Sequence, residues 1–152
     1  MDTFDAEDVA RLRIALARIA RLLDRQSRGD NLTRTQSSVL ATVARLGPLR
    51  ISDLAEVEGV NPTMLSRIVG KLEDTGLLRR RPDPTDGRAA RVEVTEAGDL
   101  LHRQQRAERT QLLTDRLAAL PETRAAELLA ALPALESLAD QLTPTTARAE
   151  SS

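Results

Sequence analysis

The sequence predicts a mainly α-helical chain with one small β-hairpin, on three observations. Apolar residues recur at three- and four-residue intervals over most of its length, the period of helices with one buried face. Between Leu77 and Thr95 that period gives way to two short runs, Leu77-Leu78-Arg79-Arg80-Arg81 and Arg91-Val92-Glu93-Val94-Thr95. They flank Pro82-Asp83-Pro84-Thr85-Asp86-Gly87-Arg88, a stretch dense in turn-formers. Just before this hairpin, two short helical segments meet at a tight turn containing Gly59.

From Asp5 to about Arg28 the chain reads as a helix, with Val9, Leu12, Leu16, Ile19 and Leu23 spaced like a and d positions. Such a narrow stripe is either a lid on its own domain or half of a seam between subunits. Gly29-Asp30-Asn31 breaks the helix. Thr33 caps a second one that runs to Leu46 and stops at Gly47-Pro48. Val39, Leu40, Val43 and Leu46 are expected inside, and Arg34, Thr35, Ser38 and Arg45 outside. Leu49-Arg50-Ile51 is expected as a very short strand added to the hairpin sheet.

Ser52 is expected to cap the next helix, with Leu54, Ala55 and Glu58 on successive turns and Gly59 as its stop. Asn61 then caps a helix whose first residue, Pro62, sits where a missing N–H costs nothing. Leu65, Ile68, Val69 and Leu72 share its buried face. The other face carries Thr63, Ser66, Arg67, Gly70 and Lys71, side chains that approach base edges and phosphates without obstruction. Thr63, Ser66 and Arg67 are the candidates for base edges, with Arg67 able to grip guanine through two hydrogen bonds. Lys71, the only lysine in the chain, is the phosphate candidate. The plainer reading of Arg67 and Lys71 is surface charge paired with Glu73 or Asp74. Gly76 ends this helix, and the hairpin after it, with its basic tip, reads as a wing.

Thr95 caps a long helix to about Leu120. Leu100 and Leu101 open it and Leu112, Leu113, Leu117 and Leu120 close it, but His102 to Gln111 offers only Ala107 for packing. It is either an exposed connector between two lobes or an ordinary amphipathic helix with a wet middle. Pro121 starts the last helix, striped by Leu128, Leu132, Leu135, Leu138 or Ala139, and Leu142. Pro133 interrupts it; inside a helix a proline costs about 3 kcal/mol or a kink. The expectation is a bend near Ala130 to Leu132, or two short helices. Residues 143–152 are small and polar and read as a disordered tail.

Composition narrows the functional classes. There is no cysteine, which removes disulfides, thiolate metal sites and thiol redox switches. The lone His102, in a polar run, reads as a solvated surface residue, so no metal or cofactor is expected. No nucleophile, base and orienting group stand at a recognisable spacing, so an enzyme is the least favoured class. No apolar run approaches the roughly 18 residues needed to span a bilayer, and the acidic start Met1-Asp2-Thr3-Phe4-Asp5 is no signal peptide. A cytoplasmic protein without a membrane partner is expected. The net charge is −1, yet residues 61–95 hold seven cations against five acids and are the only positive stretch.

Several of these residues carry a resemblance: Leu32-Thr33-x-x-Gln36, Leu54-Ala55 through Gly59-Val60, and Leu72-Glu73-x-x-Gly76-Leu77-Leu78-Arg79-Arg80. Pro82-Asp83-Pro84-x-Asp86-Gly87-Arg88 and Val94-Thr95-x-x-Gly98 follow in the same order. In them the chain resembles the multiple-antibiotic-resistance regulator (MarR) family of bacterial winged helix-turn-helix repressors, specifically over this stretch and more loosely over the helical arms. The resemblance implies one domain over residues 1–152: a winged helix-turn-helix at 32–95, dimerisation helices at 5–28 and 96–142, and a tail at 143–152. It implies a homodimer that binds double-stranded DNA at a pseudo-palindromic operator through recognition helix 62–74 and wing 79–94. The two recognition helices would enter successive major grooves about 34 Å apart.

Within the wing, Arg88 resembles the family's minor-groove arginine, with Asp86 two residues earlier in position to orient its guanidinium. Strand alternation puts Arg79 and Arg81 on one face, opposite Arg80, for phosphate or inter-element contacts. The family also binds small, often aromatic anions between the dimerisation helices and the winged lobe. Phe4 is the only aromatic residue here, so an effector pocket would be aliphatic with arginine, built from Leu16, Arg18, Ile19 and Arg45. Pro133 departs from the family's uninterrupted C-terminal arm. Two other readings stand beside this one: a metal-responsive winged helix, which the missing cysteine and lone histidine oppose, and a helical protein–protein adaptor working through its arms.

Overall fold

The computed structural model describes residues 4–26 and 31–142. Their order is α1 (Ala6–Gln26), α2 (Arg34–Leu46), β1 (Leu49–Arg50), α3 (Ile51–Glu58), α4 (Pro62–Asp74), β2 (Leu78–Pro82), β3 (Ala90–Val94), α5 (Glu96–Ala118), α6 (Glu122–Ala130) and α7 (Leu132–Leu142). The fold is mainly α with a three-stranded antiparallel sheet in the order β1-β3-β2. The break expected at Gly29-Asp30 and the tail expected at 143–152 lie outside the described residues.

Local chemistry sets most boundaries. Thr33 and Gln36 form a reciprocal capping box at α2: the Gln36 N–H donates to Thr33 Oγ1 at 3.2 Å, and the Thr33 N–H to Gln36 Oε1 at 2.9 Å. Asn61 Oδ1 accepts the Met64 N–H at 2.8 Å, with Pro62 in the first turn. Helix α4 ends in a Schellman turn, where Gly76 at φ +76° lets the Leu77 N–H reach the Leu72 carbonyl at 2.9 Å.

The core lies wholly in the winged lobe. Val39, Leu40 and Val43 of α2, Leu54 and Ala55 of α3, Leu65, Val69 and Leu72 of α4, Leu78 of β2 and Val92 of β3 are its buried apolar residues. Pairing Leu78 with Val94 and Leu49 with Val92 hangs the wing on that core. Helices α1, α6 and α7 contribute nothing to it, and their stripes at Val9, Leu12, Leu16, Ile19, Leu128, Leu132 and Leu138 are exposed.

Several expectations need correction. Ser52 is not a cap: α3 starts at Ile51, directly out of strand β1, and Arg50 in the cap position makes no side-chain cap bond because its guanidinium turns to the wing. Leu46 is 42% exposed, because α2 outruns the core by a turn. The middle of α5 is exposed over most of its surface, as expected, but one edge packs against α1 and α2, burying Gln105 to 1% exposure, while Ala107, the residue expected to pack, faces out. His102 is half-buried rather than solvated, for the same reason. At Pro133 the chain takes the two-helix solution. Ala131 separates α6 from α7 and the proline falls in the first turn of α7, where its missing N–H breaks no bond.

Candidate nucleic-acid interface

The turn between α3 and α4 is made by Gly59 at φ +66°, whose left-handed backbone brings the Val60 N–H back to the Ala55 carbonyl at 3.1 Å. The pair of helices is then tied to α2 through Glu58. Its carboxylate accepts from Ser38 Oγ at 2.9 Å and Thr42 Oγ1 at 2.5 Å. Ser38 is on the surface as expected, but its hydroxyl is already engaged.

Along α4, Thr63, Arg67 and Lys71 are exposed, and Ser66 and Gly70 half-buried. Glu73 does not neutralise the helix cations: it pairs with Arg80 at 2.8 Å. Among the described residues neither Arg67 nor Lys71 has an ion-pair partner, so the plainer reading of the two as paired surface charge does not describe this structure.

In the wing, alternation sorts the arginines. Arg79 and Arg81 share Glu93 on one face of the sheet, while Arg80 turns the other way and reaches α4. Asp83 lies at the start of the wing loop with its side chain wholly buried. Its Oδ2 accepts from Arg50 Nε at 2.6 Å and Arg91 Nε at 3.2 Å; its Oδ1 accepts from the Thr85 N–H and hydroxyl, each at 2.8 Å, and the Asp86 N–H at 3.3 Å. The Thr85 bonds first, then Arg50, hold its carboxyl well below the usual carboxylate range against the opposing effect of burial.

Asp86 behaves differently from expectation. Its Oδ1 accepts the backbone N–H of Arg88 at 3.1 Å, so it shapes the turn and leaves the guanidinium alone. The turn closes through the Ala89 N–H on the Asp86 carbonyl at 3.0 Å. Arg88 has no ion-pair partner among the described residues, whereas Arg79, Arg80, Arg81 and Arg91 each have one.

The effector candidates are not gathered in one place. Arg18 and Ile19 line an open hollow along α1 with Ala15, Arg21, Leu22 and Arg25; Leu16 and Arg45 do not. A smaller hollow of about 250 Å³ lies where α1, α2 and α5 meet, bounded by Asp24, Leu32, Arg34, Ser37, Ser38, Ala41 and Arg109. On α5, His102 has its Nδ1 enclosed without a hydrogen-bond partner among the described residues. Burial first, then Arg106 with Arg109 and Arg45, hold its pKa below the ordinary value, with Asp99 opposing.

Sequence reasoning missed Asp83, Arg50 and Glu58 as structural centres. For Asp83 a partial signal existed, since an Asp two residues before a Thr in a turn commonly accepts that residue's N–H. Its partner Arg50, 33 positions away, had none.

A model of the MarR family matches residues 32–90. The HTH-type transcriptional regulator Mb0904 of Mycobacterium bovis is 32% identical over 137 residues, covering 90% of this chain and 96% of that protein. The HTH-type transcriptional repressor MdtR of Bacillus subtilis is 29% identical over 93 residues, covering 61% of this chain and 60% of that protein. A crystal structure of a putative transcriptional regulator from Pseudomonas aeruginosa superposes with TM-score 0.78 at 31% identity, covering 88% of this chain and 95% of that one.

Proposed function

The chain belongs to the MarR family of DNA-binding transcriptional regulators, and from that premise we propose that it is a homodimeric cytoplasmic repressor of a pseudo-palindromic operator. The observation that carries the DNA-binding geometry is the pattern of unpaired cations. Among the described residues Arg67 and Lys71 on α4 and Arg88 on the wing have no ion-pair partner, while Arg79 and Arg81 share Glu93, Arg80 pairs with Glu73 and Arg91 with Asp83. An unneutralised cation exchanges its counterions for phosphate or a groove edge at little cost.

In this reading α4 lies in the major groove, with Thr63, Ser66 and Arg67 at base edges and Lys71 at a phosphate. Arg88 enters the adjacent minor groove, favoured where A·T pairs narrow it. Asp86 holds the turn that carries Arg88. Arg79 and Arg81 exchange Glu93 for phosphates when DNA arrives. The exposed apolar stripes of α1, α6 and α7 support a second copy as their cover, since a monomer would leave them in water. Repression is supported by the function that MdtR's name gives it. A small anionic effector between α1, α2 and α5, near Arg34 and Arg109, would shift the spacing of the two α4 helices only if it bound one spacing more tightly. Among the described residues no helix is long and apolar enough to cross a membrane.

Fluorescence anisotropy of the protein against its own upstream DNA and a scrambled duplex, over a salt series and beside Arg88→Ala, tests this. Selective binding weakened by salt and by the substitution supports it. Equal binding by wild type and Arg88→Ala on every duplex sinks the wing assignment, and a monomer in sedimentation at the same concentration sinks the dimer.

A further inference from the structure

We propose that Glu93 stands in for a DNA phosphate, holding Arg79 and Arg81 in the free protein and so capping the wing's grip on any duplex, an inference that rests on reading the wing as a DNA contact. Arg79 lies directly across from Glu93 in the ladder of β2 and β3, and Arg81 is two residues further along the same face. Both guanidinium groups pair through Nε with one carboxylate oxygen, Glu93 Oε1. Leu78 and Val92, which alternate with these residues, are buried in the core, so the charged trio lies on the outer face of the sheet.

Exposure decides which of the three meets DNA first. The side chains of Arg79 and Arg81 are 53% and 57% exposed, and that of Glu93 only 20%. The contrast with Asp83 shows that Glu93 is not a structural acid of the same kind. Asp83 is wholly buried and accepts backbone N–H groups as well as arginines, whereas among the described residues the Glu93 carboxylate holds Arg79 and Arg81 alone. Ion pairs this exposed contribute little to stability, so the fold has little need of the Glu93 charge.

The consequence is electrostatic. Arginines gain affinity for phosphates chiefly by releasing condensed counterions, a gain that does not depend on sequence. Two arginines by themselves present two positive charges to a duplex, and with Glu93 they present a net charge of one. A duplex that takes both arginines leaves the carboxylate facing its own phosphates, and only part of the gain survives. Glu93 therefore sets how tightly the wing holds DNA without choosing which DNA it holds.

Fluorescence anisotropy of the full chain on its own upstream DNA and on a scrambled duplex, over a salt series, tests this. Glu93→Gln keeps the shape and an acceptor oxygen while removing the charge. It should bind both duplexes about tenfold more tightly, with log affinity falling about one unit more steeply against log salt and the ratio between the duplexes changed by less than about twofold. In a chain carrying Arg79→Gln and Arg81→Gln the same substitution should gain less than about twofold, because no arginine is left to release. Should that double variant lose its helical circular dichroism, Arg81→Gln alone must still cut the gain to about threefold. Binding by Glu93→Gln no tighter than wild type, tightening on one duplex only, or an equal gain with and without the arginines, which is plain repulsion, overturns the proposal. The reading beneath it fails differently: neither wild type nor Glu93→Gln then binds either duplex at low salt, and the proposal falls with it.

Discussion

Arg50 and Asp83 are joined by a 2.6 Å ion pair that ties the residue before α3 to the root of the wing loop. The same carboxylate holds Arg91 and the backbone of Thr85 and Asp86, so the wing's position follows that of the helix-turn-helix. Asp83→Asn keeps the shape but removes the charge. It should weaken operator binding about tenfold, the scale of one lost charged contact, with the helical circular dichroism unchanged. Because the folded carboxyl lies below its ordinary 3.8, its stabilising contribution is complete above that pH and fades as pH falls through the folded value. Acid titration of wild type and variant should therefore converge at low pH.

Gly98 packs against the Leu77 carbonyl, where an added Cβ would stand 2.1 Å from the oxygen and 2.9 Å from Val94 Cγ2. Gly98→Ala should destabilise the fold by about 3 kcal/mol in urea unfolding, despite alanine's better helix propensity. Gly70, on the same kind of helical backbone, has nothing within 4 Å of its Cβ position. Gly70→Ala should instead stabilise by up to about 1 kcal/mol.

Arg67→Ala and Arg88→Ala are expected to differ in kind. The first should relax sequence preference, at a cost of about 1–3 kcal/mol on the preferred site. The second should flatten the dependence of log affinity on log salt by about one unit, with its largest effect on duplexes that have A·T-rich flanks. Salt series on matched duplexes separate them.

His102 should make stability pH-dependent. Its folded pKa is depressed below the ordinary 6.5, so its neutral form is the one the fold accepts. The unfolded chain takes up the proton first as pH falls, so stability is full above about 6.5 and is lost down to the folded value. His102→Gln should show a smaller drop in melting temperature than wild type between pH 7.5 and 5.5, both chosen to bracket the roughly 6.5 of free histidine.

The features legible in the sequence were those whose cause is local. Thr33 with Gln36, Asn61 with Pro62, Gly59, Gly76 and Thr95 each act within about one turn, and each stands where its residue type placed it. The strand alternation of Arg79, Arg80 and Arg81 followed from the pleat alone. What failed depended on contacts remote in the chain. Gln105 is buried because α5 lies against α1 and α2, and a polar residue in a polar run gives no hint of that. Asp86 was assigned to a guanidinium when the nearer backbone N–H of Arg88 claimed it. The effector residues were chosen by composition, and composition does not say which helix faces meet.

Lys71 is the only lysine in the chain, and it lies exposed on α4. Any reagent or enzyme that acylates lysine side chains therefore has one address in this chain, on the surface proposed to read DNA. Such a modification would erase a positive charge there and nowhere else. Conversely, protection of that amine by a bound duplex would turn simple mass-shift labelling into a direct gauge of operator occupancy.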